Sequence, residues 1–214
     1  MSDGAENAIA DSRARRLTWV TGGVLFLLSV VIWFTARGEL AGFAIAKDAV
    51  FASAAVLFVV GVGRAGSVTD RRPVSTVATL ALAVAPFAQS LWFGLVPESP
   101  GDPNAREDAW GLAAALYYGS LATFAIIAAV GIGRAGVLPA PWRWAPLWVV
   151  FWTPLVFVVG ITVSSSAPSG TTASTIAGHL VLDGPAIGTA FLGIVALVLG
   201  LRVQRPRVAS VSAT

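Results

Sequence analysis

LTWVTGGVLFLLSVVIWFTA, residues 17–36, is a run without a single charge, preceded by Arg13, Arg15 and Arg16 and followed by Arg37. A helix rising 1.5 Å per residue needs about 20 apolar residues to cross the roughly 30 Å of bilayer hydrocarbon. The stretch has that length and that composition. Its apolar run exceeds the roughly 7–15 residues of a signal-peptide core and no clean small-x-small site follows it, so it reads as a retained anchor.

Five further stretches repeat the pattern, at about 40–63, 74–96, 112–133, 144–163 and about 180–201. The second is the questionable one, because Lys47 and Asp48 fall inside it. The reading that follows is an all-α integral membrane protein, a six-transmembrane-helix bundle forming one domain over residues 1–214, with short disordered tails at 1–12 and 203–214. Composition agrees. The 214 residues are 56% hydrophobic and 12% charged, with a mean hydropathy of +0.79; a water-facing domain carries about 25% charged residues.

Basic residues orient the bundle, because Lys and Arg near span ends are retained on the cytoplasmic side. With the amino terminus inside, the inner segments hold Arg13, Arg15, Arg16, Arg64, Arg71, Arg72, Arg134, Arg143, Arg202, Arg205 and Arg207, and only Arg37, Lys47 and Arg106 lie outside. Eleven against three, with the bias present at every inner segment, predicts both termini in the cytoplasm (N-in/C-in). Trp19, Trp142 and Trp144 near the inner boundary and Trp33, Trp92 and Trp110 near the outer one match aromatic belts. The expected location is multi-pass in the plasma (inner) membrane of a bacterium.

Absent residues exclude whole chemistries. With no cysteine, disulfides, thiolate metal sites and iron–sulfur clusters are ruled out, and the one histidine, His179, rules out a bis-histidine haem. The arginines form no tract longer than a pair and have no interleaved stacking aromatics, so nucleic acid is not an expected partner. No cofactor and no metal site are indicated. The expected partners are the lipid bilayer, other membrane subunits and a small-molecule ligand whose identity the sequence does not give.

Gly61-Val62-Gly63-Arg64-Ala65-Gly66 recurs as Gly131-Ile132-Gly133-Arg134-Ala135-Gly136, each at the inner end of an even-numbered span. Trp33-Phe34 and Trp92-Phe93, then Asp48-Ala49 and Asp108-Ala109, follow the same order. The shared order reads as a tandem duplication of a two-helix hairpin, the alternative being independent selection of Gly as helix cap and Arg as inner-interface anchor. Both copies also satisfy GxGxxG, but they end helices instead of opening them after a strand, and the dipole at that end repels phosphate.

Arg71-Arg72-Pro73, Pro168-Ser169-Gly170 and His179 with Asp183 faintly resemble the three-part signature of lipid phosphate phosphatases. The resemblance fails. Thr171 stands where a second histidine is needed, Ala173 where an arginine is needed, and the Arg-Pro piece lies across the membrane. His179 and Asp183 are then a solvated i, i+4 pair capping an outer helix end. Gly184xxxGly188 and Ala125xxxAla129 mark close helix approach. Trp144, Trp148 and Trp152 line one face of the fifth span as packing surface or as the wall of an aromatic pocket, and Pro146 and Pro154 predict kinks there.

Polar residues within spans remain to be explained. Counted inward at 1.5 Å per residue, Asp48 lies fifteen residues from Gly63, Gln89 sixteen from Pro73 and Tyr117 sixteen from Gly133, all roughly 22–24 Å from the inner edge. Lys47 is long enough to snorkel outward and Asp48 is not. Asp48, Gln89 and Tyr117, with Lys47 and Tyr118, are therefore the candidate binding residues, a polar cluster opening outward; no catalytic residue is assigned. The repeat argues the other way, placing Asp48 in a loop like Asp108.

Three functional classes follow, in order of support: a small transport or solute-binding membrane component, a non-catalytic accessory or assembly partner of a larger membrane complex, and a membrane enzyme. In size and helix count the chain resembles the substrate-binding subunits of energy-coupling-factor transporters, a likeness of architecture that covers no motif.

Overall fold

A computed structural model describes residues 2–35, 41–62, 66–70, 72–96, 103–140, 142–168 and 170–202. Six helices carry almost all of them: α1 (Ser2–Thr35), α2 (Ala41–Val60), α3 (Pro73–Gly94), α4 (Pro103–Ala135), α5 (Ala145–Ser166) and α6 (Thr172–Arg202), with a 3-10 turn at Trp142–Trp144. No strand occurs among the described residues. Each helix contains a segment long and apolar enough to cross a membrane, as a multi-pass membrane protein has.

Several helices outrun their apolar segments. The stretch 2–12, expected as a disordered tail, is helical and continuous with the first span; its three alanines and Glu6 favour helix and it has no proline. Residues 103–111, expected as loop, form the first turns of α4, with Pro103 as its first residue, where a missing N–H costs no hydrogen bond. Likewise α6 starts at Thr172, so His179 and Asp183 sit within it and not at its end. Hydropathy reports how much of a helix suits hydrocarbon, and a helix can continue past that limit. The second tail, 203–214, lies outside the described residues. Pro146 also corrects an expectation: it lies in the first turn of α5, where it disturbs no ladder, which leaves Pro154 as the interior proline.

Glycine sets the packing. Each helix packs on its neighbours in sequence and α6 closes back on α1, giving a closed cycle whose most extensive contact is the α1–α6 seam. There Gly23 and Gly193 face each other: a Cβ on Gly23 would come within 2.8 Å of the Gly193 carbonyl oxygen, and one on Gly193 within 3.1 Å of the Gly23 oxygen. Along α5–α6, Gly188 meets Val149 and Gly184 meets Val156, so this GxxxG does sit at a close approach.

At the end of the bundle where α1 begins and α6 ends, α2 stops in an unusual cap. Gly61 has φ +69°, and the four residues before it expose carbonyls that a helix end cannot satisfy internally. The Gly61 N–H donates to Leu57, the Val68 N–H to Phe58 and the Ser67 hydroxyl to Val59, while the Val62 N–H donates to the Thr18 hydroxyl of α1. Ser67, Thr69 and Thr76 continue the hydroxyl chain at 3.1 and 3.0 Å. This folded-back turn buries Val68 in the main core cluster with Trp19, Leu138, Ala145, Val195, Ala196 and Leu199.

The outward surface is apolar. Leu95 is 79% exposed, Leu91 75% and Phe151 65%. In water such a belt would be an aggregation surface; hydrocarbon is the solvent it suits.

Candidate functional site

Hydroxyls in an apolar helix find acceptors one turn back. Ser29, Thr79, Thr123, Thr153, Thr162 and Thr189 each donate to a carbonyl three or four residues earlier, which satisfies them without a tertiary partner. They are therefore not candidates. What remains is a set of charged and aromatic groups at the end of the bundle opposite the Gly61 cap.

Lys47 and Asp48 lie in the second turn of α2, within the helix and not in the preceding connection. The Lys47 Nζ is 2.8 Å from Asp48 Oδ1, the two side chains being 28% and 20% exposed. The same ammonium stands 5.0 Å from the centroid of the Trp33 ring on α1, within cation–π range. The edge of that indole is also engaged. Its Nε1–H donates to Asp183 Oδ1 on α6 at 3.2 Å, and Asp183 is buried, 9% exposed. Four residues on three helices thus form one chain: Asp48, Lys47, Trp33, Asp183.

Tyr117 lies on α4. Its hydroxyl donates to the Ala85 carbonyl of α3 at 2.8 Å, and its ring packs against Tyr118 and Phe93, the latter stacked on Trp110 at 5.2 Å. Gln89 is exposed on α3, one turn beyond Ala85, and Tyr118 is 56% exposed. The expected set therefore falls in two parts: a charged pair against α1 and α6, and a tyrosine pair on α4 bonded to α3.

Asp183 is the residue that reading the sequence as a loop cap missed. A usable signal was present. At 1.5 Å per residue Asp183 is about 28 Å from Arg202, and Trp33 is about 25 Å from Arg16, so an indole donor and a carboxylate stand at similar height on two helices.

No known protein family, characterised protein or solved structure matches the chain. The site is therefore argued from its own geometry. Two carboxylates and one ammonium in a body of apolar helices can hold a charged solute or exchange a proton. Among the described residues no three His, Asp or Glu side chains are grouped to hold a metal ion.

Trp148 and Trp152, with Val149, Ile187, Gly188 and Phe191, line an apolar groove of about 250 Å³ between α5 and α6. Trp144, on the same stripe, instead presses its ring against Gly133 of α4.

Trp33→Phe is expected to lower stability by about 1 kcal/mol, because it keeps a ring beneath Lys47 but removes one of the hydrogen bonds to a buried carboxylate. Thermal melting in detergent reads the loss, and a double-mutant cycle with Asp183→Asn isolates the bond from the lost ring volume. Strict additivity in that cycle would mean that the two side chains do not interact.

Proposed function

We propose that the chain is a small solute-binding or transport component of the bacterial inner membrane, oriented N-in/C-in, with a polar site in the outer half of the bundle. In this reading the site is built on Asp48 and Lys47, with Trp33 and Asp183 beside them, while Tyr117, Tyr118 and Gln89 stand as a separate set on α3 and α4. One observation carries the reading: the Lys47–Asp48 pair sits within an apolar helix and is joined through Trp33 to a second carboxylate, Asp183. A charged side chain within a spanning helix is costly. Ionisable groups kept inside spans face cavities, substrates or ions by default. The orientation rests on the arginine asymmetry, and it places the charged chain toward the outside.

The test is thermal melting of the purified full chain against amino acids, organic ammonium ions and alkali cations. A true ligand at a hundredfold its Kd adds about 2.7 kcal/mol, a shift of several degrees. Asp48→Asn is expected to erase that shift while leaving the ligand-free melting temperature within a few degrees. If no solute shifts the wild-type chain, and it co-purifies stably with a larger membrane complex, the accessory-subunit reading replaces this one. The α5–α6 groove with its two exposed tryptophans favours that alternative, since aromatic side chains anchor interfaces.

A further inference from the structure

We propose that a second cavity, at the end of the bundle opposite the charged chain, binds the phosphate of an anionic lipid headgroup. The cavity measures about 420 Å³ and is lined by Arg15 and Trp19 of α1, Leu138 and Trp142 of the α4–α5 connection, and Leu199 and Arg202 of α6, among others. That volume falls within the roughly 300–1,000 Å³ of ligand pockets.

Its construction is layered. Trp19, Leu138 and Leu199 form the floor, and all three belong to the buried core cluster, so the base is rigid. Arg15 and Arg202 come from the two helices of the α1–α6 seam, and no acidic side chain is among the lining residues. The acidic groups nearest in sequence are Asp11, one turn before Arg15 on α1, and Glu6 beyond it. Two guanidinium groups offer planar forks of donors that match phosphate oxygens, which a pair of lysines would not. Indoles beside them suit the boundary between headgroup and acyl chain.

A tethered phosphate fits better than a free one. Val137, Pro139 and Ala140 complete the lining with apolar surface, and Pro139 and Ala140 are exposed. Acyl chains of a headgroup held between the arginines would run over these side chains. Basic pockets between spanning helices on the cytoplasmic side are where acidic lipid headgroups bind, and the positive-inside orientation puts this cavity there. The site is independent of the solute site: the two lie at opposite ends of the helices.

The test titrates the purified full chain in neutral detergent with dioleoylphosphatidylglycerol, dioleoylphosphatidylcholine or sn-glycerol 3-phosphate, reading the melting temperature. Phosphatidylglycerol is expected to stabilise at a half-saturating concentration at least tenfold below that of phosphatidylcholine, and glycerol 3-phosphate to be weaker still. R202Q and R15Q are each expected to raise the phosphatidylglycerol half-point about tenfold, and R106Q at the opposite end of the bundle to leave it unchanged. A140W guards against misfolding of the arginine variants: Ala140 lines the cavity and is exposed, so a bulky side chain there blocks the cavity with both arginines in place and is expected to give the same loss. Equal potency of glycerol 3-phosphate would overturn the lipid assignment in favour of a soluble phosphate ester. A phosphatidylglycerol response that survives both R15Q/R202Q and A140W would overturn the site.

Discussion

Gly23→Leu is expected to prevent the bundle from closing, with loss of a monodisperse peak in size-exclusion chromatography and a collapse of the thermal transition. The added Cβ alone would sit 2.8 Å from the Gly193 carbonyl oxygen and 3.1 Å from the Leu197 amide nitrogen. Backbone on a facing helix cannot rotate away as a side chain can. Overpacking in a core that can adjust costs about 1–3 kcal/mol, and here the two helices of the largest interface must separate. Against a total stability of about 5–15 kcal/mol, a loss above roughly 3 kcal/mol is severe. Two comparisons make the prediction specific. At Gly188 the obstacle is Val149 Cγ1 at 2.7 Å, a side chain free to change rotamer, so Gly188→Leu is expected to cost less. At Gly119 nothing lies within 4 Å of the point a Cβ would occupy, so Gly119→Leu is expected to leave the melting temperature unchanged. Equal effects at all three would mean that helix propensity, not close approach, sets the outcome.

Gly61→Ala is the second large loss, and its contrast is Gly136→Ala. Both glycines have φ +69°, a conformation that costs an L-residue about 1–2 kcal/mol. At Gly136 the space around the absent Cβ is open, and that strain is the whole effect. At Gly61 the Cβ would meet the Ser67 amide nitrogen and the Gly66 carbonyl carbon. The folded-back turn would have to move, and with it the bonds from Ser67 to Val59 and Val68 to Phe58, each worth about 0.5–1.5 kcal/mol. The expected loss is about 3 kcal/mol or more, against about 1–2 kcal/mol at Gly136, measured by thermal melting of the two variants side by side.

That pair also shows what the repeated motif conveys. Gly61 is the first residue of its copy and ends α2; Gly136 is the last residue of its copy and ends α4, which runs helically through Gly131 and Gly133. The same six-residue pattern stops a helix at different places. Gly133 is needed for another reason, since a Cβ there would strike the Trp144 ring. Local sequence determines neither outcome, because the deciding contacts come from Ser67 and Trp144.

The helix count was legible because each crossing needs about 20 apolar residues and little else does. Helix ends were less so: Ser2, Pro103 and Thr172 begin helices where polar composition suggested tail or loop. Asp48 was legible as a charge out of place, and the helix indeed begins seven residues before it. Its neighbours were not. Depth along a helix can be counted, but which face a residue presents depends on packing, and packing places Trp33 between Lys47 and Asp183 while directing the Tyr117 hydroxyl to Ala85.

The α1–α6 seam has a consequence for how the chain is made. Trp33 and Asp183 are 150 positions apart, and Gly23 waits for Gly193 over a longer interval still. At roughly 5–20 residues per second of synthesis, α1 spends about 8–30 s without its principal neighbour. During that interval the Gly23 side of α1 waits for Gly193 and Leu197 of α6. A chain ending before residue 172 would therefore lack α6, and with it the backbone against which the Gly23 face of α1 packs.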